Sequence, residues 1–323
     1  MSQMPGVMSE VPIVEVVDLT KRFGSRAVLR GINLSVERGT VLGVLGPNGA
    51  GKTTAINCLT TLLQPDGGKA TIAGYDVVEQ PEAVRSLIGL TGQFAAVDEI
   101  LTARENLILF SRLLRLSRGA AKRRTEELLT QFDLVDAADR QVKTFSGGMR
   151  RRLDLAASIV VSPLVLFLDE PTTGLDPRSR QQLWSVVKDL KAQGITIILT
   201  TQYLEEADAL ADQIVVIDQG QVIAKGTVDE LKDKVGGKFC ELRLANLADF
   251  EKVKDLLSDI GEVMTGEMGP EGPIAIAAPD GANTLTVIVV RLEAADISLA
   301  DISLRRPSLD DVFFSLTGHT TQD

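Results

Sequence analysis

Gly46-Pro47-Asn48-Gly49-Ala50-Gly51-Lys52-Thr53-Thr54 fits the pattern G-x-x-x-x-G-K-[ST], and what flanks it decides how the chain folds. Before it, Val41-Leu42-Gly43-Val44-Leu45 reads as a buried strand; after it, Lys52 to Leu62 (KTTAINCLTTL) reads as a helix with an apolar stripe. Strand, glycine-rich loop and helix together make a phosphate cradle. The loop through Gly46, Asn48, Gly49 and Gly51 can wrap so that successive backbone N–H groups point at β- and γ-phosphate oxygens, and the helix N-terminus adds a partial positive charge. Lys52 then neutralises the β/γ charge, Thr53 offers its hydroxyl to Mg²⁺, and Thr54 supports the α-phosphate side. The pattern arises by chance in roughly one chain of this length in a hundred, so partner motifs have to decide.

They follow in order. Leu164-Val165-Leu166-Phe167-Leu168 is an apolar run of strand length ending in Asp169-Glu170, a Walker B strand. Asp169 is expected to hold Mg²⁺ through water, and Glu170 to orient and polarise the attacking water. Upstream, Phe145-Ser146-Gly147-Gly148-Met149 precedes a helical pattern from Arg150 to Val160. Ser-Gly-Gly before a helix is either a plain capping turn or a second anion-binding element with free backbone donors, and the company it keeps favours the second. Gln93 follows a short predicted strand, Ile88 to Thr91; its amide either reaches Mg²⁺ and the attacking water or is merely polar. Phe23 ends a strand that begins near Val14, where it either stacks on adenine or packs in a β-meander; the other motifs favour stacking.

The 323 residues, 44% of them hydrophobic, are enough for more than one domain, and two are expected. No apolar run approaches the ~20 residues of a membrane span, since Ile159 to Leu168 is short and broken by Ser162-Pro163. The N-terminus lacks a basic region followed by an apolar core, so the chain is expected to stay in the cytosol. Cys58 and Cys240 have no metal-ligand spacing and read as reduced, structural thiols. A net charge of −10 argues against nucleic acid as a partner. That charge is uneven: residues 236–323 hold 7 Lys+Arg and 15 Asp+Glu, or −8, which leaves 27 against 29, or −2, for the rest.

The segment Phe94 to Asn106 reads as a hinge into a mostly helical insertion at about 95–160, with helices over Leu107 to Leu116 and Ala120 to Phe132. The basic cluster Arg118 to Arg124 reads as a solvated helix face. After the Walker B strand, Pro171 to Asp176 turns into a helix near Pro177, Ile195 to Thr200 is another buried strand ahead of Gln202, and Gln213 to Asp218 pairs with Gln221 to Ala224 across Gln219-Gly220. The architecture expected is an α/β P-loop ATPase core with a β-rich N-terminal layer and a helical subdomain, followed by a small α+β domain. Residues 1–12 form a flexible N-terminus, 13–235 the core, and 236–323 a C-terminal assembly or regulatory domain in βαββαβα order, with its boundary at Val235-Gly236-Gly237.

With these motifs in this order, residues 13–235 resemble the nucleotide-binding subunits of ABC transporters. Gly46 to Thr53 stands for Walker A, Gln93 for the Q-loop, Phe145 to Met149 for the LSGGQ signature, Leu164 to Asp169 with Glu170 for Walker B, and Gly174-Leu175-Asp176 for the D-loop. Met149 replaces the signature Gln, and Gln202 stands at the switch position where the family usually places His; the chain's one histidine is His319. Thr200 to Asp208, with a C-terminal stretch ending Leu309-Asp310-Asp311-Val312-Phe313, resembles the actinobacterial daunorubicin-resistance ATPases, exporters of drugs or complex lipids. The resemblance implies a homodimer with ATP and Mg²⁺ sandwiched between Walker A of one copy and Ser146, Gly147, Gly148 and Asp176 of the other. It also implies Glu170, Gln202 and Gln93 in hydrolysis, and a separate membrane permease that places the subunit at the cytoplasmic face. Two rivals follow from the residues. A soluble ABC ATPase of DNA repair or translation would carry a long coiled-coil insert or a second cassette, and an ATP-binding switch would hydrolyse poorly because Gln202 replaces His.

Overall fold

Alternation along three buried strands sets the frame of the molecule. On Val165–Asp169, Val165 and Phe167 enter one apolar core while Leu166 and Leu168 enter another. On Thr196–Thr201, Ile198 joins the first core and Ile197 and Leu199 the second, and on Val41–Leu45 the split is Leu42 and Val44 against Val41. Both faces of these strands are therefore covered, as in a parallel α/β sheet.

The computed structural model describes residues 11–92, 96–235, 238–261, 263–265, 274–306, 308, 309, 312 and 313. It divides into two compact units at Thr227/Val228. In the first, β1 (Val14–Phe23) and β2 (Arg26–Val36) form a hairpin, β3 (Val41–Leu45) leads into α1 (Lys52–Leu59), and β4 (Gly67–Ile72) and β5 (Tyr75–Asp76) complete an antiparallel sheet of order β2-β1-β4-β5. Then come α2 (Pro81–Leu87), β6 (Ile88–Thr91), and three helices, α3 (Ala103–Leu113), α4 (Arg118–Gln131) and α5 (Gly147–Ser158). The remainder is β7 (Val165–Asp169), α6 (Pro177–Ala192), β8 (Thr196–Thr201), α7 (Leu204–Leu210), β9 (Gln213–Asp218) and β10 (Gln221–Gly226). The central sheet runs β10-β9-β3-β8-β7-β6, parallel throughout except for the β9–β10 hairpin. The antiparallel sheet and α1 share one core with it. The helices α3, α4 and α5 pack in the other, where Leu107, Leu128, Phe132 and Leu153 are fully buried.

The second unit opens with α8 (Val228–Val235), then β11 (Phe239–Leu244), α9 (Phe250–Leu257), β12 (Val263–Thr265), β13 (Ile274–Ala277), α10 (Ala282–Ala294) and β14 (Leu299–Arg305). Strand order is β12-β13-β11-β14 with every neighbour antiparallel, the ferredoxin-like split-βαβ arrangement. Cys240, Leu242, Ile274 and Ile276 face Val253, Leu257, Ile288 and Leu292 in one apolar core. Leu309, Val312 and Phe313 are helical and buried, and the other residues of the expected last helix lie outside the described ones.

The two compact units part at Thr227/Val228, eight residues ahead of the boundary expected at Val235-Gly236-Gly237. The amphipathic α8, with Leu231 fully buried, groups with the second unit, whereas the glycine pair that marked the boundary in sequence lies outside the described residues. The first helix also stops at Leu59, not Leu62, because Thr61 takes a left-handed φ of 64°.

Candidate nucleotide site

At the C-terminal end of β3 the chain turns through Gly46 to Gly51 and enters α1 at Lys52. Gly46 has no alternative: a Cβ there would lie 2.2 Å from the Ile217 carbonyl oxygen. Lys52 is only 5% exposed, and its Nζ donates to the carbonyls of Gly46 (2.7 Å) and Pro47 (3.1 Å) and sits 3.7 Å from Glu170 Oε1. Burial pushes its pKa down, opposed by the charges of Glu170 and Asp169. A cavity of about 280 Å³ opens over this loop, lined by Arg26, Val28, Asn48, Gly49, Gly51, Lys52, Thr53, Thr54 and Glu170. Arg26 and Val28 come from β2, a strand that sequence reasoning did not pick out; their presence in the wall is set by the backbone bond from Arg30 N–H to the Gly220 carbonyl.

The ends of β7 and β8 bring the carboxylates in. Asp169 is buried, and its Oδ1 accepts from Thr200 Oγ1 (2.5 Å) and Thr53 Oγ1 (3.2 Å). Glu170 has a φ of 47°, a backbone region that costs a side-chain-bearing residue about 1–3 kcal/mol and clusters at functional sites. Its N–H is held by Thr200, through the carbonyl at 3.1 Å and Oγ1 at 3.0 Å, and this fixes the side chain over the loop toward Lys52. Thr200 thus clamps both carboxylate residues, a role its place in an apolar strand did not reveal.

Arg151 was also missed. It stands one turn into α5, 9% exposed, and donates to the carbonyls of Pro171 (Nε, 2.9 Å), Asp169 (Nη2, 3.0 Å) and Gly92 (Nη1, 2.5 Å), with Asp154 3.7 Å away. One guanidinium therefore ties the helical subdomain to the end of β7, the turn behind Glu170, and the residue before Gln93. Asp154 in turn accepts from the Ala96 N–H (2.7 Å), and burial raises its pKa. Glu206 on α7 is fully buried, accepts from Trp184 Nε1 (3.1 Å), and has a pKa raised chiefly by burial.

Of the residues expected at the site, Asn48, Gly49, Gly51, Lys52, Thr53, Thr54 and Glu170 line this cavity, with Gly46 and Asp169 bonded directly beneath. Ser146, Gly147, Gly148 and Asp176 are elsewhere. Ser146 caps α5 by accepting from the Met149 N–H (3.2 Å), and Asp176 caps α6 through Ser179 N–H (3.0 Å) and Oγ (2.6 Å). The two caps abut, because a Cβ on Gly148 would lie 2.5 Å from Ser179 Oγ. Phe23 is half-exposed at the β1 end, paired across the hairpin with Arg26 and 5.8 Å beneath Lys21 Nζ. Gln202 is half-buried just after β8, its side chain without a hydrogen-bond partner among the described residues. Gln93 lies outside the described residues.

A P-loop at the end of a parallel strand, facing a buried Asp and a half-buried Glu at the end of the next strand but one, defines a nucleotide triphosphatase. The family described as ABC transporter matches residues 29–173. Daunorubicin resistance ATP-binding protein DrrA2 of Streptomyces coeruleorubidus is 53% identical over 94% of this chain and 95% of its own length. Doxorubicin resistance ATP-binding protein DrrA of Mycobacterium tuberculosis is 50% identical over 96% and 94%. A solved ATP-binding subunit of an ABC transporter superposes with a TM-score of 0.62 at 32% identity, covering 69% of this chain and 92% of that one. The chain belongs to the ABC transporter ATP-binding proteins, in the daunorubicin- and doxorubicin-resistance group, and is an ATPase.

Proposed function

We propose that two copies dimerise head to tail and, by hydrolysing ATP, drive export of a hydrophobic drug or complex lipid through a separate membrane permease, working at its cytoplasmic face. Within the described residues no helix is long and apolar enough to cross a membrane, so the path through the bilayer is assigned to that permease. The observation that carries the reading is the juxtaposition of Lys52 and Glu170 at 3.7 Å over the loop, while a second anion-binding helix N-terminus, Ser146 to Gly148, caps a helix away from that cavity. A second copy turned head to tail would bring its Ser146, Gly147, Gly148 and Asp176 over the first copy's γ-phosphate.

In this reading the loop amides and Lys52 hold the β- and γ-phosphates, Phe23 stacks on the adenine, and Glu170 takes the proton of the water that attacks γ-phosphorus as ADP leaves. Gln202 and Gln93 position that water and the γ-phosphate. The oxygen donors Thr53 Oγ1 and Asp169 Oδ1, 3.2 Å apart, suit Mg²⁺, which takes few protein ligands and fills its shell with phosphate and water. An ion held by these two oxygens would supply charge neutralisation at the β/γ oxygens. Glu170→Gln keeps the phosphate cradle but loses the base, so turnover should fall by about 10²–10⁴-fold while ATP drives a stable dimer on size exclusion. Turnover at the parental rate would remove Glu170 from the chemistry.

A further inference from the structure

The hairpin formed by α3 and α4 ends in a tip whose chemistry the nucleotide site does not use. Leu113 is 67% exposed and Leu114 49%, with Leu109 exposed one turn back on the same face of α3. Around them stand Arg112, Arg115, Arg118, Lys122 and Arg123, all exposed. From Asn106 to Thr125 there is no acidic residue, and among the described residues none of these five cations has an ion-pair partner. The nearest carboxylates along α4, Glu126 and Glu127, pair instead with Arg104 and Arg124. Arg118 opens α4 behind the Ser117 cap, where the helix dipole disfavours a cation. A solvated helix face explains the charges but not exposed Leu109 and Leu113 among them; Leu114, by contrast, also lines a cavity with Phe110.

We propose that this tip is a docking surface for an anionic phospholipid bilayer. Leucines surrounded by guanidinium groups match the boundary between acyl chains and phosphates: the apolar side chains enter it, and the arginines pair with headgroup oxygens while staying wet. The chain's net charge of −10 does not prevent this, because at physiological salt a surface feels charges within about 8–10 Å, and the stretch from Asn106 to Thr125 that makes the tip carries six Lys and Arg and no carboxylate. Nucleic acid would be served by the arginines alone. A protein partner anchored in an apolar groove would be served by the cavity of about 400 Å³ that Phe110 and Leu114 line, and Leu109 and Leu113 do not line it. The inference borrows from the functional reading only its setting beside a membrane.

The test is flotation of the purified full-length chain with vesicles of phosphatidylcholine alone or mixed with phosphatidylglycerol. Binding is expected only to the anionic vesicles, weakening as salt rises. Each basic residue at such a surface contributes roughly fivefold, so Arg112→Ser, Arg115→Ser and Arg118→Ser together should weaken binding about a hundredfold. Leu113→Ser should weaken it several-fold and leave the salt dependence in place. ATP turnover in solution should not change in either variant, since none of these residues lines the nucleotide cavity. No charge-selective binding, or a triple variant that floats like the parent, overturns the proposal. So does a triple variant that still floats but no longer co-purifies with the permease, which would make the tip a protein contact. Failure here alongside a Glu170→Gln dimer would leave the functional reading standing.

Discussion

The two units of the chain handle charge in opposite ways. In the first, Lys52, Arg151, Asp154, Asp169 and Glu206 are all buried, while its residues 1–227 and 321–323 hold 25 Lys+Arg against 27 Asp+Glu, or only −2. In the second, which sums to −8, the only buried polar residue among those described is Thr284; the core is apolar, and none of the charged residues described there is buried. Burying an ionisable group costs several kcal/mol unless it is paired or neutralised, so a fold keeps five of them inside only where positions have to be held that apolar packing cannot hold. The first unit is built around a site, the second around a surface.

That contrast separates two kinds of damage. Arg151→Ala would leave three backbone carbonyls and the Asp154 carboxylate without their cation, and should destabilise by about 3–5 kcal/mol. Ile276→Ala, in the second unit's core, should cost about 2–5 kcal/mol by leaving a cavity. Denaturant unfolding gives both figures, and ATP turnover per folded molecule distinguishes them: it should fall in the Arg151 variant, because Asp169 and the turn behind Glu170 lose their anchor, and hold in the Ile276 variant. Equal turnover in the two would erase the distinction between the units. Arg151→Lys should recover part of the stability and less of the turnover, because an ammonium cannot span three carbonyls in one plane.

A smaller effect is expected at Gln202. An amide can hold one hydrogen bond to a γ-phosphate but cannot carry a proton as imidazole does near pH ~6.5, so the turnover profile should show no inflection there from this position. Gln202→Ala should slow turnover several-fold in a steady-state assay, and undiminished activity would make the side chain structural.

The smallest change concerns the cost of a buried charge itself. Burial raises the pKa of Glu206, so its contribution to stability is complete only below the ordinary carboxyl range, where folded and unfolded chains are both protonated, and is lost as pH rises from there to the raised value. Glu206→Gln keeps an acceptor for Trp184 Nε1 and cannot ionise. Its melting temperature should match the parent near pH ~4 and exceed it near pH ~8. A variant less stable at both would show that the ionised carboxylate is needed by its surroundings.

Legibility in the sequence followed the same division. The P-loop, the Walker B strand and the β9–β10 hairpin announce themselves through glycine spacing and continuous apolar runs, and their bounds fall within a residue or two of the structure. The βαββαβ order of the second unit was readable from alternation. What stayed hidden were residues whose work is done through long-range contacts. Arg151 looks like one of three arginines in a row, Thr200 like the end of a buried strand, and Arg26 and Val28 lie on β2, which no motif marks. The sequence reading drew its boundary at a glycine pair, a louder local signal than the one buried leucine by which α8 groups with the second unit.

The division of labour itself is tested most directly by ending the chain after Thr227 and measuring nucleotide affinity alongside co-purification with the permease. Every residue lining the nucleotide cavity lies in the first unit, so affinity for ATP should stay within about twofold, while permease association and export should fall sharply. Full co-purification and export by the truncated chain, or loss of ATP binding from a truncated chain that is still folded, would contradict the account.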